Sequence, residues 1–122
     1  MSGIGIDLLA INRFAKLKNS SEFLSSVFTD RELEQISKCQ PFHRIHAALF
    51  TIKEAILKAL GCGLQQGAFW HDLNIDRDMH LSLTGSLLDL SKRQSINKIH
   101  ASVACTRDYA LGITLAETED TL

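Results

Sequence analysis

Residue types suited to metal and phosphate chemistry occur in two short segments of the chain, at residues 3–9 and 50–61. Asp7 is the only charged residue of the first segment, which is otherwise glycine, isoleucine and leucine. Glu54 and Lys58 lie four positions apart in the second segment, so on a helix they share one face. Because Mg²⁺ takes one or two protein carboxylates and keeps phosphate oxygens, this set suits a divalent metal and a phosphate.

The same residues also allow a purely structural interpretation. Asp7 can cap the helix that follows it, and Glu54 can make an ordinary helix-surface pair with Lys58. Lys58 is then a solvated lysine on a polar face. Lys53 is the weaker candidate for chemistry, because it points about 100° away from Glu54 around the helix. From the residues alone, both interpretations stay open.

Two elements must position these groups, a strand and a long helix. The apolar run over residues 3–9 predicts a short buried strand. Pro41 is tolerated in the first turn of a helix but not in its interior, so it marks the start of the longest helix. We expect that helix to run to Leu60, with Gly61 as its stop. Its apolar residues recur at three- and four-residue intervals, and the charged candidates lie off the centre of that stripe.

Shorter helices and two strand pairs are expected in the rest of the chain. The helices are placed at Ile11–Leu17, at about Ser21–Val27, from a Thr29–Glu32 capping box to Ser37, and from Ser86, as the cap, to about Lys92. The strands are placed at Asp72–Ile75, His80–Leu83, Ile99–Cys105 and Tyr109–Glu117. Val103 and Ala104 indicate a buried strand, which makes Cys105 a small core residue.

Composition limits the class of protein. The 122 residues, 45% hydrophobic and 22% charged, are the size of one compact domain spanning 1–122. A formal net charge of -1 argues against a nucleic-acid partner. The cysteines are widely spaced and the histidines show no metal-ligand spacing, so neither a disulfide framework nor a zinc site is indicated. Since no segment resembles a membrane span or signal peptide, we expect no membrane partner and a cytoplasmic location.

The two chemical segments resemble a known pair of signatures. Gly-Ile-Gly-x-Asp at 3–7 and Phe-x-x-Lys-Glu-Ala-x-x-Lys-Ala-Leu-Gly-x-Gly at 50–63 are similar to those of the holo-acyl-carrier-protein synthase group of phosphopantetheinyl transferases. Further similar stretches are Phe28-Thr29-x-x-Glu32-Leu33, Trp70-x-Asp72-Leu73-x-Ile75, and His100-x-Ser102-Val103 leading to Asp108-Tyr109-Ala110. The resemblance spans nearly the whole chain. It implies an α+β domain whose mainly antiparallel sheet packs against the long helix.

The resemblance implies a reaction. The 4'-phosphopantetheine group of coenzyme A moves to a serine of an acyl carrier protein, and adenosine 3',5'-bisphosphate is released. Asp7 and Glu54 are implied to bind the Mg²⁺ that bridges the coenzyme A pyrophosphate. Lys58 is implied to act with them in catalysis, either by stabilising charge on the leaving phosphate or by accepting a proton.

The resemblance also implies contacts with both substrates. The loop that contains Gly61 and Gly63 borders the nucleotide pocket, and Ser102 contacts coenzyme A, although Gly61 needs no more than a helix cap to explain it. Arg13 and Lys16 on the first helix dock the acidic carrier protein, of fatty-acid or polyketide type; without the resemblance they are equally a solvated face. Chains of this length in the family are homotrimers with sites between subunits.

Two positions depart from the family pattern. Members usually end the strand with Ser-x-Ser-His or Ser-x-Thr-His, where this chain has Ser-Val-Ala-Cys at 102–105, and they commonly have arginine where Leu49 stands. Both changes remove polar or cationic groups from the expected nucleotide side. A second hypothesis therefore stays open, a non-catalytic or weakly active paralogue that binds carrier proteins. The intact Asp7, Glu54 and Lys58 favour catalysis.

Overall fold

A computed structural model of the chain describes residues 3–16, 21–38, 42–62 and 67–118. The elements in chain order are strand β1 (Gly3–Ala10), helices α1 (Ile11–Ala15), α2 (Ser21–Val27), α3 (Asp30–Ser37) and α4 (Phe42–Ala59), a 3₁₀ segment (Gly67–Asp72), strands β2 (Leu73–Ile75) and β3 (Leu81–Leu83), helix α5 (Gly85–Arg93), and strands β4 (Ile96–Cys105) and β5 (Tyr109–Thr118). Within these ranges, no helix is long and apolar enough to cross a membrane.

The strands form two antiparallel sheets. β5 lies between β1 and β4 in a three-stranded sheet, and β2 pairs with β3 in a separate two-stranded sheet. The long helix α4 packs across one face of the larger sheet and contacts all three of its strands. The predicted α+β fold, with antiparallel sheet against one long helix, is confirmed.

Glycine allows α4 to approach the sheet closely. A Cβ on Gly5 would overlap the carbonyl oxygen of Ala55, and a Cβ on Gly3 would overlap that of Ala59. Neither carbonyl can move away, because each belongs to the backbone of a packed helix. The two glycines of Gly-Ile-Gly-x-Asp therefore allow β1 to pack closely against α4. The aspartate of the motif, Asp7, follows two residues after this close contact.

Aromatic side chains pack α1 against the long helix. The ring of Phe14, 1% exposed, lies 5.4 Å from that of Phe50 in α4, measured between centroids. Phe50 in turn stacks on Trp70 of the 3₁₀ segment at 5.3 Å. Such ring pairs stabilise by about 0.5–1.5 kcal/mol beyond the area they bury, so α1 has a defined position directly after β1.

The helix ends follow the predicted chemistry at two places. Thr29 Oγ1 accepts a hydrogen bond from the Glu32 amide at 3.1 Å, and Glu32 Oε1 accepts one from the Thr29 amide at 2.9 Å, which completes the capping box. Gly61 has φ +82°, and the Cys62 amide donates to the Leu57 carbonyl oxygen at 2.7 Å. This is a glycine C-cap of the Schellman type, so the predicted helix stop is confirmed. Pro41 lies outside the described residues.

Other local expectations are wrong. Helix α1 ends at Ala15 rather than Leu17, and α5 begins at Gly85, with Thr84 rather than Ser86 in the N-cap position. Cys105 is exposed. It is the last residue of β4, which lies at the edge of the sheet. At an edge, apolar neighbours in sequence do not make a residue buried.

Candidate active site

Asp7 and Lys58 meet where β1 lies against α4. Asp7 is two residues beyond Gly5, so the period of the strand places both on the face that α4 covers. The Lys58 ammonium donates to Asp7 Oδ1 at 3.0 Å and to the carbonyl oxygen of Ile6 at 3.2 Å. The side chains of Asp7 and Lys58 are 16% and 42% exposed, so the pair is open to a ligand from solvent.

Glu54 joins this pair as a buried and incompletely bonded carboxylate. Its side chain is 2% exposed, and Oε2 has no hydrogen-bond partner among the described residues. Burial raises the pKa of Glu54; the nearby Asp7 carboxylate raises it further, and the Lys58 ammonium opposes both effects. The structure therefore brings the three predicted catalytic residues together, with one carboxylate oxygen left unbonded.

These donors fit a hard divalent cation. Asp7 and Glu54 supply two carboxylates close enough to repel each other. In the part of the chain that the structure describes, Glu54 Oε2 lacks the partner that a buried polar atom requires. Mg²⁺ prefers such oxygen ligands and keeps positions for waters and phosphates. A cation held here would remove the repulsion and satisfy the unbonded oxygen.

The purely structural interpretation of these residues is wrong in two respects. Asp7 does not cap α1, because the N-cap position belongs to Ala10. Lys58 does not pair with Glu54 on its own helix surface. Its ammonium bonds to Asp7, 51 positions earlier in the chain, and Glu54 is buried rather than on the surface.

Lys53 has a different environment from Lys58. Its ammonium is fully buried and donates to Glu32 Oε1 at 2.7 Å and to the Val27 carbonyl oxygen at 2.9 Å. Glu32 also accepts the Ile75 amide at 2.9 Å, so the pair ties α2, α3, α4 and β2 together. This ion pair was not predicted from the sequence. The only signal for it was a lysine one position away from the functional face.

The predicted coenzyme A contacts have different outcomes. Gly61 caps the helix three positions after Lys58, and Gly63 lies outside the described residues. Ser102 pairs in register with Ile113, and both are exposed on the sheet face away from α4. Asp7 is on the covered face. Within one chain, therefore, Ser102 is not brought together with the carboxylates.

Helix α1 presents the two predicted carrier-binding residues to solvent. Arg13 and Lys16 are both exposed, whereas Ile11 and Phe14 on the other side of the helix are buried. Because α1 begins directly after β1, this basic surface follows the strand that carries Asp7.

A second group of potential metal ligands lies in the turn between β2 and β3. One ligand atom each from Asp76, Asp78 and His80 lies within 4.8 Å of the others. The backbone amides of His80 and Asp78 donate to Asp76 Oδ1 at 2.9 Å, and these hydrogen bonds lower its pKa. The turn's own hydrogen bonds explain this arrangement.

Residues 3–114 match the family model described as the 4'-phosphopantetheinyl transferase superfamily, and the chain belongs to that superfamily. It is 35% identical over 121 residues to a holo-[acyl-carrier-protein] synthase of Vibrio cholerae, covering 94% of this chain and 96% of the relative. The crystal structure of holo-[acyl-carrier-protein] synthase from Neisseria meningitidis superposes with a TM-score of 0.80 at 25% identity, covering 95% and 98% of the two chains. That of Holo-ACP-synthase from Plasmodium yoelii gives 0.80 at 26%, covering 97% and 95%. The predicted family and enzyme class are confirmed.

Proposed function

We propose that this chain transfers the 4'-phosphopantetheine group of coenzyme A to a serine of an acyl carrier protein, with Mg²⁺ held by Asp7 and Glu54. The serine Oγ forms a bond to the phosphorus that carries the pantetheine arm. The bridging P–O bond of the pyrophosphate breaks, adenosine 3',5'-bisphosphate leaves, and the hydroxyl proton passes to solvent. The relatives named as holo-[acyl-carrier-protein] synthases support the acceptor.

The observation that carries the proposal is the unbonded, buried Oε2 of Glu54 beside the Asp7–Lys58 pair. Buried carboxylate oxygens in folded proteins ordinarily accept a hydrogen bond, because an unsatisfied buried polar group costs about 1–3 kcal/mol. Here the cost remains, and Asp7 increases it by repulsion. A site that tolerates this state is suited to receive a cation together with its phosphate ligands.

Each of the three residues then has a defined task. Asp7 and Glu54 hold the cation, which when bound neutralises and orients the pyrophosphate. Asp7 also fixes the Lys58 ammonium through the 3.0 Å contact. Lys58, less buried than either carboxylate, can contact a phosphate oxygen and stabilise charge on the departing bisphosphate.

The carrier protein docks on α1 through Arg13 and Lys16. Both are exposed next to the strand that bears Asp7, and complementary charge on an acidic partner guides encounter and orientation. In this proposal the carrier's serine reaches the site along the α1 side of the sheet.

Assembly as a homotrimer is part of the same proposal. The sheet face away from α4 carries three apolar cross-strand pairs, Ile4 with Leu115, Ile6 with Ile113, and Leu8 with Leu111, exposed by 36–67%. A continuous apolar face of this kind favours burial against further copies. Ser102 lies on that face, and in the proposed trimer it contacts coenzyme A bound at Asp7 of another copy of the chain. Sedimentation analysis tests the trimer.

Transfer is tested by incubating the protein with an apo acyl carrier protein, coenzyme A and Mg²⁺ and recording the carrier's mass. The expected result is addition of one phosphopantetheine group, abolished by a chelator and absent from a carrier whose serine is replaced by alanine. A carrier that binds the protein but is never modified, at any Mg²⁺ concentration, would support the non-catalytic binding module instead.

A further inference from the structure

Thr51 is not part of the proposed catalytic set, but it shares the helix face of that set. It lies in α4 three positions before Glu54 and seven positions before Lys58. At about 100° per residue, the three positions fall within an arc of about 60° around the helix axis. Thr51, Glu54 and Lys58 therefore lie on successive turns of one face, and Lys58 on that face contacts Asp7.

The sheet places Thr51 beside Asp7. A Cβ on Gly112 of β5 would lie 3.0 Å from Thr51 Cγ2 and 2.9 Å from the Thr51 carbonyl oxygen. Gly112 is the antiparallel partner of Asp7 in β1. Residues directly opposite each other in such a pair have Cβ atoms about 4.5–5.5 Å apart. Because Gly112 has no side chain, Thr51 packs directly on the strand next to Asp7.

The Thr51 hydroxyl is buried without a partner. The side chain is fully buried, and Oγ1 makes no hydrogen bond to any described residue. A threonine in a helix often donates to a carbonyl oxygen of the preceding turn, and within the described residues Thr51 does not. Glu54 Oε2, one turn later, is unbonded in the same sense. Two neighbouring positions of one helix face thus each hold a buried oxygen that lacks a partner.

The two unbonded groups are chemically complementary. A hydroxyl has a proton to donate, whereas an ionised carboxylate only accepts hydrogen bonds. Side chains three positions apart on a helix have Cβ atoms about 5–6 Å apart, which allows a direct hydrogen bond or one bridging water. Carboxylates that bind metals are usually oriented by such hydrogen bonds. Thr51 has the donor that Glu54 lacks.

From the shared helix face and the two unbonded oxygens, we propose that Thr51 is a positioning residue of the metal site. Its hydroxyl donates a hydrogen bond to the Glu54 carboxylate when that carboxylate binds Mg²⁺. A helical threonine has two accessible χ1 rotamers, so the hydroxyl can turn towards Glu54 while the helix stays in place. The inference rests on the proposed function, because it takes Glu54 as a metal ligand.

Isosteric removal of the hydroxyl tests this role. Thr51→Val keeps the shape of the side chain and removes its donor. Mg²⁺ alone is titrated into the full protein at neutral pH, and calorimetry gives the Kd. We expect the Kd to rise about 10- to 100-fold, the usual cost of losing a group that orients a metal ligand. The metal-free variant should be at least as stable as the wild type, because an unbonded buried hydroxyl is removed. An unchanged Kd would overturn the proposal.

Thr51→Ser is the complementary variant. It keeps the hydroxyl and removes the methyl group that packs on Gly112, so the metal-free protein should unfold at lower urea concentration. The Kd for Mg²⁺ should stay within about threefold of the wild-type value, since the donor remains. Losses of Mg²⁺ affinity that are equal in the valine and serine variants would mean that packing matters rather than the hydroxyl, and would overturn the proposal.

Thr114→Val is the matched control. Thr114 also has a buried hydroxyl without a partner among the described residues. It belongs to β5, however, and pairs with Gly5 rather than with Asp7. The same isosteric substitution there should leave the Kd for Mg²⁺ unchanged. Equal losses at Thr51 and Thr114 would indicate a general loosening of the contact between α4 and the sheet, and would reject the specific role of Thr51.

Glu54→Gln separates this inference from the proposed function. If the wild type binds Mg²⁺ and Glu54→Gln does not, the metal site is correct, and the Thr51→Val result alone decides the inference. If the wild type does not bind Mg²⁺, or if Glu54→Gln binds it equally well, the proposed metal site is wrong and the role of Thr51 is wrong with it. In the transfer assay, the Mg²⁺ concentration for half-maximal rate should rise in Thr51→Val by the same factor as the Kd.

Discussion

The Lys58 ammonium lies 3.0 Å from Asp7 Oδ1, a contact that joins the long helix to the first strand across 51 positions of sequence. One carboxylate of the site is thereby neutralised by a lysine, while Glu54 keeps an unbonded oxygen in a buried position. The two acidic groups consequently differ in what they require. Asp7 already has a cationic partner, and Glu54 is the group whose charge depends most on a bound cation.

Glu54→Gln should reduce the pH dependence of the free energy of unfolding in the absence of metal. The folded wild-type protein binds a proton at Glu54 more tightly than the unfolded chain does, because its pKa is raised above 4.5. The free energy of unfolding should therefore fall as pH rises from about 4.5 through the folded pKa. Urea unfolding with a chelator present should show this slope in the wild type and a smaller slope in the variant.

Addition of Mg²⁺ at neutral pH should stabilise the wild type and leave Glu54→Gln nearly unchanged, since a ligand that binds only the folded state raises its stability. The variant should also lose about 10²-fold or more in transfer rate. Equal stabilisation of both proteins by Mg²⁺ would place the metal elsewhere.

Substitution of Lys53 should mainly lower stability, whereas substitution of Lys58 on the same helix should mainly lower activity. Lys53→Ala leaves the buried Glu32 carboxylate without its cation, so we expect a loss of about 3–5 kcal/mol in the free energy of unfolding. Lys58→Ala removes a partly exposed ammonium and should cost less than about 1 kcal/mol while abolishing most of the transfer.

The combined substitution Lys53→Met with Glu32→Gln is the control for burial. It removes both charges and keeps most of the volume, so much of the lost stability should return. If Lys53→Ala unfolds at the same urea concentration as the wild type, the buried pair has no structural role.

Gly5→Ala should disturb the site through the backbone. The added methyl group overlaps the Ala55 carbonyl oxygen and must push β1 away from α4. We expect destabilisation of about 1–3 kcal/mol and a larger relative loss of transfer, because the shift separates Asp7 from Glu54 and Lys58. Urea unfolding and steady-state kinetics on the same sample measure both.

Gly61→Ala is the matched comparison, since it introduces strain at φ +82° without displacing the strand. It should cost about 1–2 kcal/mol and leave the Asp7–Lys58 distance unchanged. A Gly5→Ala protein with full activity would show that close contact of β1 with α4 is not required.

Where sequence and structure agree, local rules determine the element. The capping box at Thr29 and the glycine stop at Gly61 depend on residues within one turn, so the local sequence is enough to predict their geometry. The grouping of Asp7 with Glu54 and Lys58 was predicted because a strand motif and a helix motif occur together. Their spacing showed nothing about contact across the fold.

The differences arise where tertiary packing decides. Lys53 and Glu54 are adjacent and both charged, yet Lys53 completes a buried ion pair, whereas Glu54 Oε2 has no hydrogen-bond partner among the described residues. Which helix face meets α3 and which meets β1 depends on the packing of all three elements. The exposure of Cys105 likewise depends on the position of β4 at the edge of the sheet. The sequence of a strand does not by itself predict whether it lies at an edge.

Arg13→Glu should weaken binding of the carrier protein and leave coenzyme A affinity unchanged. The substitution reverses one charge on the exposed face of α1, away from Asp7 and Glu54. Wild-type association should slow as salt rises, and the variant should depend less on salt. Surface plasmon resonance against an acyl carrier protein measures both rates, with Arg93→Glu on α5 as the control. Loss of coenzyme A affinity with intact carrier binding would contradict this docking surface.

Replacement of the two described cysteines by the larger histidine should have different effects on stability. Cys105 is exposed at the end of β4, so Cys105→His places the imidazole in solvent and should change the free energy of unfolding by less than about 0.5 kcal/mol. Cys62 is 2% exposed and follows the cap of α4, so Cys62→His forces a larger polar ring into packed surroundings and should cost about 1–3 kcal/mol or more. Thermal and urea unfolding of the two variants at one pH give the comparison. A large loss for Cys105→His in the isolated chain would contradict its exposure, whereas a loss seen only at concentrations where copies associate would indicate that the end of β4 is covered by a second copy.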